Sequence, residues 1–476
     1  MGAIKEAIIL NLILPLADIK FKTSFARWYW KIKKMEQWTP EKVKAWQVEN
    51  MKKRIEHAYV HIPYYHELFD KLGLKPDDFN SMDDLRKIPV LTKEIIRENF
   101  ERLIPDDVHK YPYHVGQTGG STGNPLKFYT DNNSWGFSSA FTTYCWRQTG
   151  YRYGDKFVGL GGSSVGIHRN KSFVHKLFYK MKGKIGLASD NLNDDELRRY
   201  VDIIQSGNIH YIYGYASSMY LLAKYVLEKG LTEKLDIKAA YPTSDILTEH
   251  YADTIKKAFR CEIIDGYGAH DSCVGGFKRI GERGFKANYA TYIETDNSIA
   301  SGYGNIICTD LIGYSFPFIR YTLGDVVELD EESSYSAYFN GQVIKTVLGR
   351  SSEIVKLKNG FFISGISLTN VFKDMDIKGY KVDVESDSII RIKIVPNPGF
   401  TTQAEQELID AMKERTGNDY KIIVDRVKDL EKRANGKSLY LMVDHKLSTP
   451  PQTLIFFKRS IRSSTHKCLT FKMLCA

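Results

Sequence analysis

Thr118-Gly119-Gly120-Ser121-Thr122-Gly123-Asn124-Pro125 combines glycines with hydroxyl side chains in one short run. Such a run brings backbone N–H groups close to a phosphate and adds O–H donors. It lacks the Gly-Lys-Ser/Thr ending of a Walker loop, and a plain linker between two elements is its bland alternative. A second group, Asp265-Gly266-Tyr267-Gly268-Ala269-His270-Asp271, directly follows the apolar run Cys261–Ile264. Gly-x-Gly at a strand end lets backbone approach a ligand. Tyr267 can stack on a base, Asp265 can accept from an amino group, and Asp271 offers the hard oxygen donors that Mg2+ prefers. His270 suits a hydrogen-bonding pocket position better than a base, and a tight turn with an exposed acid remains the alternative for the whole piece. In Arg320-Tyr321-Thr322-Leu323-Gly324-Asp325, a fixed carboxylate can accept from both hydroxyls of a ribose; otherwise this is a surface turn. Finally come Gly349-Arg350-Ser351-Ser352-Glu353 and, far downstream, Gly436-Lys437. A lysine on a glycine-containing turn can reach a developing charge and is most effective where water is excluded. Taken alone, Gly-Lys is weak evidence.

These residues need a scaffold. Thr39-Pro40-Glu41 reads as a capped helix start, and Val48, Met51, Ile55 and Tyr59 then recur at helical spacing up to a stop at His61-Ile62-Pro63. Further on the periodicity predicts a strand at Ile209–Ile212, a turn with a cap at Gly214–Ser218 and a helix over Met219–Leu227. It then predicts a strand at Ile237–Tyr241, a helix over Thr248–Phe259 and a strand at Cys261–Ile264. The alternation implies an α/β domain with a largely parallel sheet and ligands at the strand ends. From about Arg350 the pattern changes to strand Ile389–Val395, a helix over Gln403–Arg415 and strand Tyr420–Val424, a small α+β domain. The expected division is 1–349, 350–446 and a basic tail, 447–476, with Pro450-Pro451 and no acids.

The 476 residues suffice for more than one core, and 43% hydrophobic with 26% charged residues is an ordinary globular balance. Six scattered cysteines, none in a C-x-x-C pair, give no zinc spacing and suit a reducing compartment. The net charge of +10 sits at the ends, +5 in residues 1–35 and +5 in 447–476, leaving the middle balanced. A groove for nucleic acid would carry its excess within the fold, so nucleic acid is not an expected partner. The apolar run Ala7–Leu16, broken by Asn11 and Pro15, is too short to span a bilayer. With Trp28, Tyr29, Trp30 and several lysines after it, residues 1–35 either lie on an anionic membrane surface or pack on the domain as a helix with a solvated basic face.

Together, in this order and spacing, the four groups resemble the adenylate-forming superfamily of acyl-CoA synthetases, peptide-synthetase adenylation domains and luciferases. The stretches EKVKAWQVENMKKRIEHAYVHIPYYHELF, TGGSTGNPLKFYTD and FPFIRYTLGDV look like the phenylacetate–CoA ligase and coenzyme F390 synthetase group, CapK-type proteins of capsular polysaccharide synthesis in particular. The resemblance covers residues 40–445 and implies a large AMP-binding domain with a small mobile one. It implies that Thr118, Gly119, Gly120, Ser121, Thr122 and Gly123 hold the ATP phosphates. Asp265 and Tyr267 would hold adenine, Asp325 the ribose and Arg350 the nucleotide near the domain boundary, with Gly268 also in the nucleotide site. Thr243, Ser244 and Asp245 would line the adenine and acyl pocket, with His270 beside the substrate. Asp271 stands at the position of a Mg2+-linked Glu, Lys437 at the lysine of adenylation and Ser352 at the hinge. Asp271 is one methylene shorter than that Glu, His270 replaces a small hydroxyl residue, and Leu126 stands where many acyl-CoA synthetases carry a basic residue. The implied reaction joins a small carboxylic acid to AMP, then moves the acyl group to the thiol of CoA or a carrier phosphopantetheine, or to a sugar. Transfer of AMP to a phenol, and a non-catalytic ATP-binding component, are the rival readings. The implied setting is the cytoplasm or the inner face of the cell membrane, with polysaccharide-assembly proteins as partners.

Overall fold

The computed structural model describes residues 2–117, 126–162, 182–189, 192–269, 271–296 and 303–350, then 354–359, 362–364, 368, 371–372, 375–386, 388–428, 430 and 441–443. Its helix starts follow local chemistry. Thr39 accepts from the Lys42 amide at the head of helix Pro40–His61, and Thr248 and Thr401 cap helices Glu249–Phe259 and Thr402–Thr416 the same way. Helix Pro40–His61 buries Val43, Met51, Ile55 and Ala58, the stripe expected of its 3.6-residue period.

An eleven-stranded sheet forms the centre. Strands Lys184–Ala188, Phe157–Gly161, Tyr211–Tyr215, Ala239–Thr243 and Glu262–Gly268 lie side by side and parallel. Beyond Glu262–Gly268 every pair is antiparallel, through Gly275–Arg279, Phe285–Ala287, Val343–Arg350, Tyr321–Leu329, Tyr303–Asp310 and Thr291–Thr295. The sheet is therefore mixed rather than largely parallel. Strand Glu262–Gly268 is the seam between the two halves.

Three local readings need correction. Gly214 and Tyr215 are not a turn; they complete a strand, and helix Ala216–Glu228 begins at the next residue. A Cβ on Gly214 would lie 1.9 Å from the Leu160 carbonyl oxygen, so this glycine serves close strand approach. Asp265 to Gly268 likewise belong to the strand and not to a loop after it. Arg320 alone of its motif precedes strand Tyr321–Leu329, so Asp325 projects from a paired strand and not from a surface turn.

After Ile354 a separate core forms around Val382, Ile390, Ile392, Ile394 and Leu408. Its four-stranded sheet runs Lys421–Arg426, Ile389–Pro396, Ile377–Ser386, Leu441–Val443, with helix Thr402–Thr416 against it. At the other end, the chain enters through helix Gly2–Ile8, a π turn over Ile9–Ile13 and helix Leu14–Phe21. Pro15 has no N–H to donate and its ring crowds the preceding turn, which accounts for a widened turn ahead of it. Helix Phe25–Met35 then buries Phe25, Trp28, Tyr29 and Ile32 in the main core.

Candidate active site

The site assembles at the seam. Asp265 and Tyr267 are two residues apart on strand Glu262–Gly268 and so share one face of the sheet. From the antiparallel half, strands Tyr321–Leu329 and Val343–Arg350 place Asp325 opposite Arg350 as register partners. Each of that pair follows a glycine in the left-handed region, Gly324 at φ +80° and Gly349 at φ +105°. Only glycine holds that backbone without strain.

Asp325 is the hub. Its Oδ1 lies 3.0 Å from Arg350 Nε, and its Oδ2 accepts from the Tyr267 hydroxyl at 2.9 Å. A carboxylate offers about four lone-pair positions. Two remain for a vicinal diol, the geometry a ribose needs. Burial pushes the Asp325 carboxyl up, opposed chiefly by the Arg350 guanidinium. The Tyr267 phenol is held far above its ordinary value by burial and by the Asp325 charge, so it stays a donor.

Asp265 is buried, and its nearest cation, Lys278 Nζ, is 4.0 Å away. Burial raises it from 3.8 to about 7, with Lys278 opposing and the Asp245 charge adding to the rise. The folded state thus keeps a proton that the unfolded chain releases near 3.8. Stability from this group is full below that value and is lost as pH rises to about 7. Asp265→Asn should remove this loss. Variant minus parent stability is expected to grow from about pH 4 to about pH 7 and then level off. Urea midpoints taken across that range check it, and a constant difference would count against the buried-acid account.

Asp271 is buried, and its Oδ2 accepts from the Tyr321 hydroxyl at 2.9 Å. Mg2+ usually takes one or two carboxylates together with substrate phosphates and keeps several waters. A single buried carboxylate with lone pairs to spare fits an ion that arrives with a nucleotide. Among the described residues, the cluster with metal-ligand spacing is His61, Asp106 and Asp107, apart from these groups.

Ser244 stands exposed at φ +70° beyond strand Ala239–Thr243. Its neighbour Asp245 accepts from the Ala216 and Ser217 amides at 2.6 and 3.1 Å, capping helix Ala216–Glu228 from outside. Arg320 takes no part in the hub: its Nε lies 3.1 Å from Glu294 and its Nη1 donates to the Arg86 carbonyl. Strands Tyr113–Gln117 and Lys127–Asp131 pair with Gln117 opposite Lys127, flanking the glycine-rich run. That run (118–125), His270, Ser352 and Lys437 lie outside the described residues.

Sequence reasoning passed over two groups. Tyr321 stands in the sequence only as part of a motif, yet it holds Asp271. Lys93 donates to the Leu323 carbonyl at 3.2 Å and opposes the rise of Asp325. Leu91 bridges to Tyr321, which brings this lysine in. Its only sequence signal is the Thr92 cap of helix Lys93–Glu98.

Comparison with known proteins agrees with this architecture. Residues 355–444 match the family described as the CapK C-terminal domain. Protein CapK of Staphylococcus aureus is 23% identical over 400 residues, covering 82% of this chain and 88% of that protein. A phenylacetate–coenzyme A ligase of Thermus thermophilus is 21% identical over 394 residues, 78% of this chain and 80% of that one. Among solved structures, 2-hydroxyisobutyryl-CoA ligase in its postadenylation state, in complex with 2-HIB-AMP, superposes with a TM-score of 0.66 at 16% identity. That match covers 85% of this chain and 90% of the other.

Proposed function

We propose that this chain, a member of the adenylate-forming superfamily in the branch that holds CapK and the phenylacetate–CoA ligases, activates a small carboxylic acid with Mg·ATP and passes the acyl group to a thiol. The observation that carries the reading is the hub at the seam, where Asp325 stands between Tyr267 and Arg350 with acceptor positions left for a ribose.

In the first half-reaction an acid oxygen attacks the α-phosphorus in line. The bond from that phosphorus to the bridging oxygen breaks, and pyrophosphate leaves. Two anions must meet, so positioning and neutralisation carry most of the catalysis. Asp325 fixes the ribose, and Asp265 with Tyr267 fixes the adenine. Run 118–123 would hold the departing phosphates, Asp271 would supply carboxylate oxygen to the Mg2+ that accompanies them, and Lys437 would neutralise the developing charge. In the second half-reaction a thiolate attacks the acyl carbon and AMP leaves, with Ser352 as the hinge for a small domain that begins near residue 350. The thiol is CoA or a carrier phosphopantetheine. CapK likeness favours a surface polysaccharide, or its precursor, as the destination of the acyl group.

The test is ATP–pyrophosphate exchange across a panel of small acids, with aryl, hydroxy and amino acids included. Exchange that depends on one acid, followed by CoA-dependent release of AMP, is the expected result. ATP binding with no exchange for any acid would reject the assignment.

A further inference from the structure

Chain entry is anchored on one side and bare on the other. Glu6, Ile9, Leu10 and Leu14 are buried. Glu6 pairs with Arg147, and the Lys5 ammonium donates to the Gly154 carbonyl at 2.8 Å. The opposite face carries Ile4 (70% exposed), Ile8 (49%), Leu12 (58%), Leu16 (59%) and Ile19 (78%). Steps of four and three residues keep these on one stripe, about 22 Å long at the helical rise. Isolated exposed aliphatics need no explanation, but five in a row on one face do.

The charges around this stripe have one sign where they are free to act outward. Helix Phe25–Met35 buries Phe25, Trp28, Ile32 and Met35, and turns Arg27, Trp30 and Lys34 to its opposite face. Pro15, Ile19, Lys22, Arg27, Trp30 and Lys110 line one shared groove between the two helical segments and the body. Its acids are occupied by backbone. Asp18 accepts from the Phe25 and Ala26 amides at 3.0 and 2.7 Å, and Asp131 from the Tyr314 and Ser315 amides at 2.9 and 3.0 Å. No helix among the described residues is long and apolar enough to cross a bilayer.

We infer that this face docks on an anionic lipid surface, with Ile4, Ile8, Leu12, Leu16 and Ile19 in the acyl boundary and Lys20, Lys22, Arg27 and Lys34 against the phosphates. An aliphatic stripe with a basic border and an amphipathic tryptophan is the chemistry of an interfacial helix. A second copy seated here about a two-fold axis would bring two equal sets of lysines together, which opposes self-association. The inference does not depend on the adenylation reading, since none of these residues belongs to the seam.

Flotation of the full chain with vesicles tests it. Binding is expected to phosphatidylcholine mixed with phosphatidylglycerol and not to phosphatidylcholine alone, and it should weaken as salt rises. Leu12→Asp with Leu16→Asp should lower partitioning by at least about tenfold. Lys20→Gln with Lys22→Gln and Lys34→Gln should lower it about fivefold per lysine, without touching the apolar stripe. Unchanged near-ultraviolet circular dichroism certifies each fold. Should the aspartate variant fail that check, the lysine variant and the salt series decide. The inference is overturned if the parent does not float with anionic vesicles, or if the folded variants float as well as the parent. It is equally overturned if the face instead holds a dimer that the aspartates split, or a protein partner whose capture they abolish while vesicles stay unbound.

Discussion

Lys437→Ala is expected to lower acid-dependent ATP–pyrophosphate exchange by about 10²- to 10³-fold, with ATP affinity near that of the parent. Attack of a carboxylate on an already anionic phosphate concentrates negative charge between them. One fixed donor aimed at developing charge in a dry site contributes about that factor. Since the benefit belongs to the transition state, loss should fall on kcat rather than on nucleotide binding. A ready-made acyl adenylate offered with CoA should still be turned over, because the second half-reaction breaks a different bond. Exchange at the parent rate would remove Lys437 from the chemistry while leaving the seam hub intact. Loss of both halves together would point to a folding defect instead.

Arg54→Leu should be the most destabilising single change outside the site, at about 3 kcal/mol or more. Arg54 is fully buried on helix Pro40–His61, donates to the Phe316 carbonyl at 2.8 Å and lies over the Tyr314 ring. It is also the principal positive charge acting on Asp310, which is buried among the Ser134 hydroxyl and the Ile312 and Gly313 amides. Removing the cation leaves that carboxylate without its counter-charge in a poorly polarisable interior. The segment concerned joins strand Tyr303–Asp310 to strand Tyr321–Leu329, and so sets the position of Tyr321 and Asp325. Urea midpoints should show Arg54→Leu with Asp310→Asn costing less than the sum of the two single changes. Strict additivity would mean that the two charges do not interact.

Sequence legibility followed locality. Thr39 announced its helix because a cap bonds three residues away. The strand, helix and strand after Ile389 were readable for the same reason, each being set by its own periodicity. The seam was less legible. Asp265 to Gly268 has the glycines of a turn, but partner strands on both sides hold it extended. The antiparallel half depends on pairings such as Phe285 with Ile344, which no short window contains. Tyr321 reaches Asp271 across fifty residues of chain. Arg320, which looks like an anion binder, is taken by Glu294 on a neighbouring element. At the N-terminus the apolar residues were plain, but which of them the body covers is decided by Arg147 and Tyr153, far along the chain.

Asp325 also has a consequence for how the parts of this protein communicate. The carboxylate suited to a ribose is the one that holds Arg350, the last residue of its strand before the chain leaves for the second core. On the proposed function, ribose binding and the Arg350 contact would thus draw on a single charge. Thermodynamic reciprocity then requires that any factor by which a bound nucleotide alters the Arg350 contact equal the factor by which displacing Arg350 alters nucleotide affinity. On the proposed function, no relay of intermediates would be needed between nucleotide and second core, because one side chain would serve both.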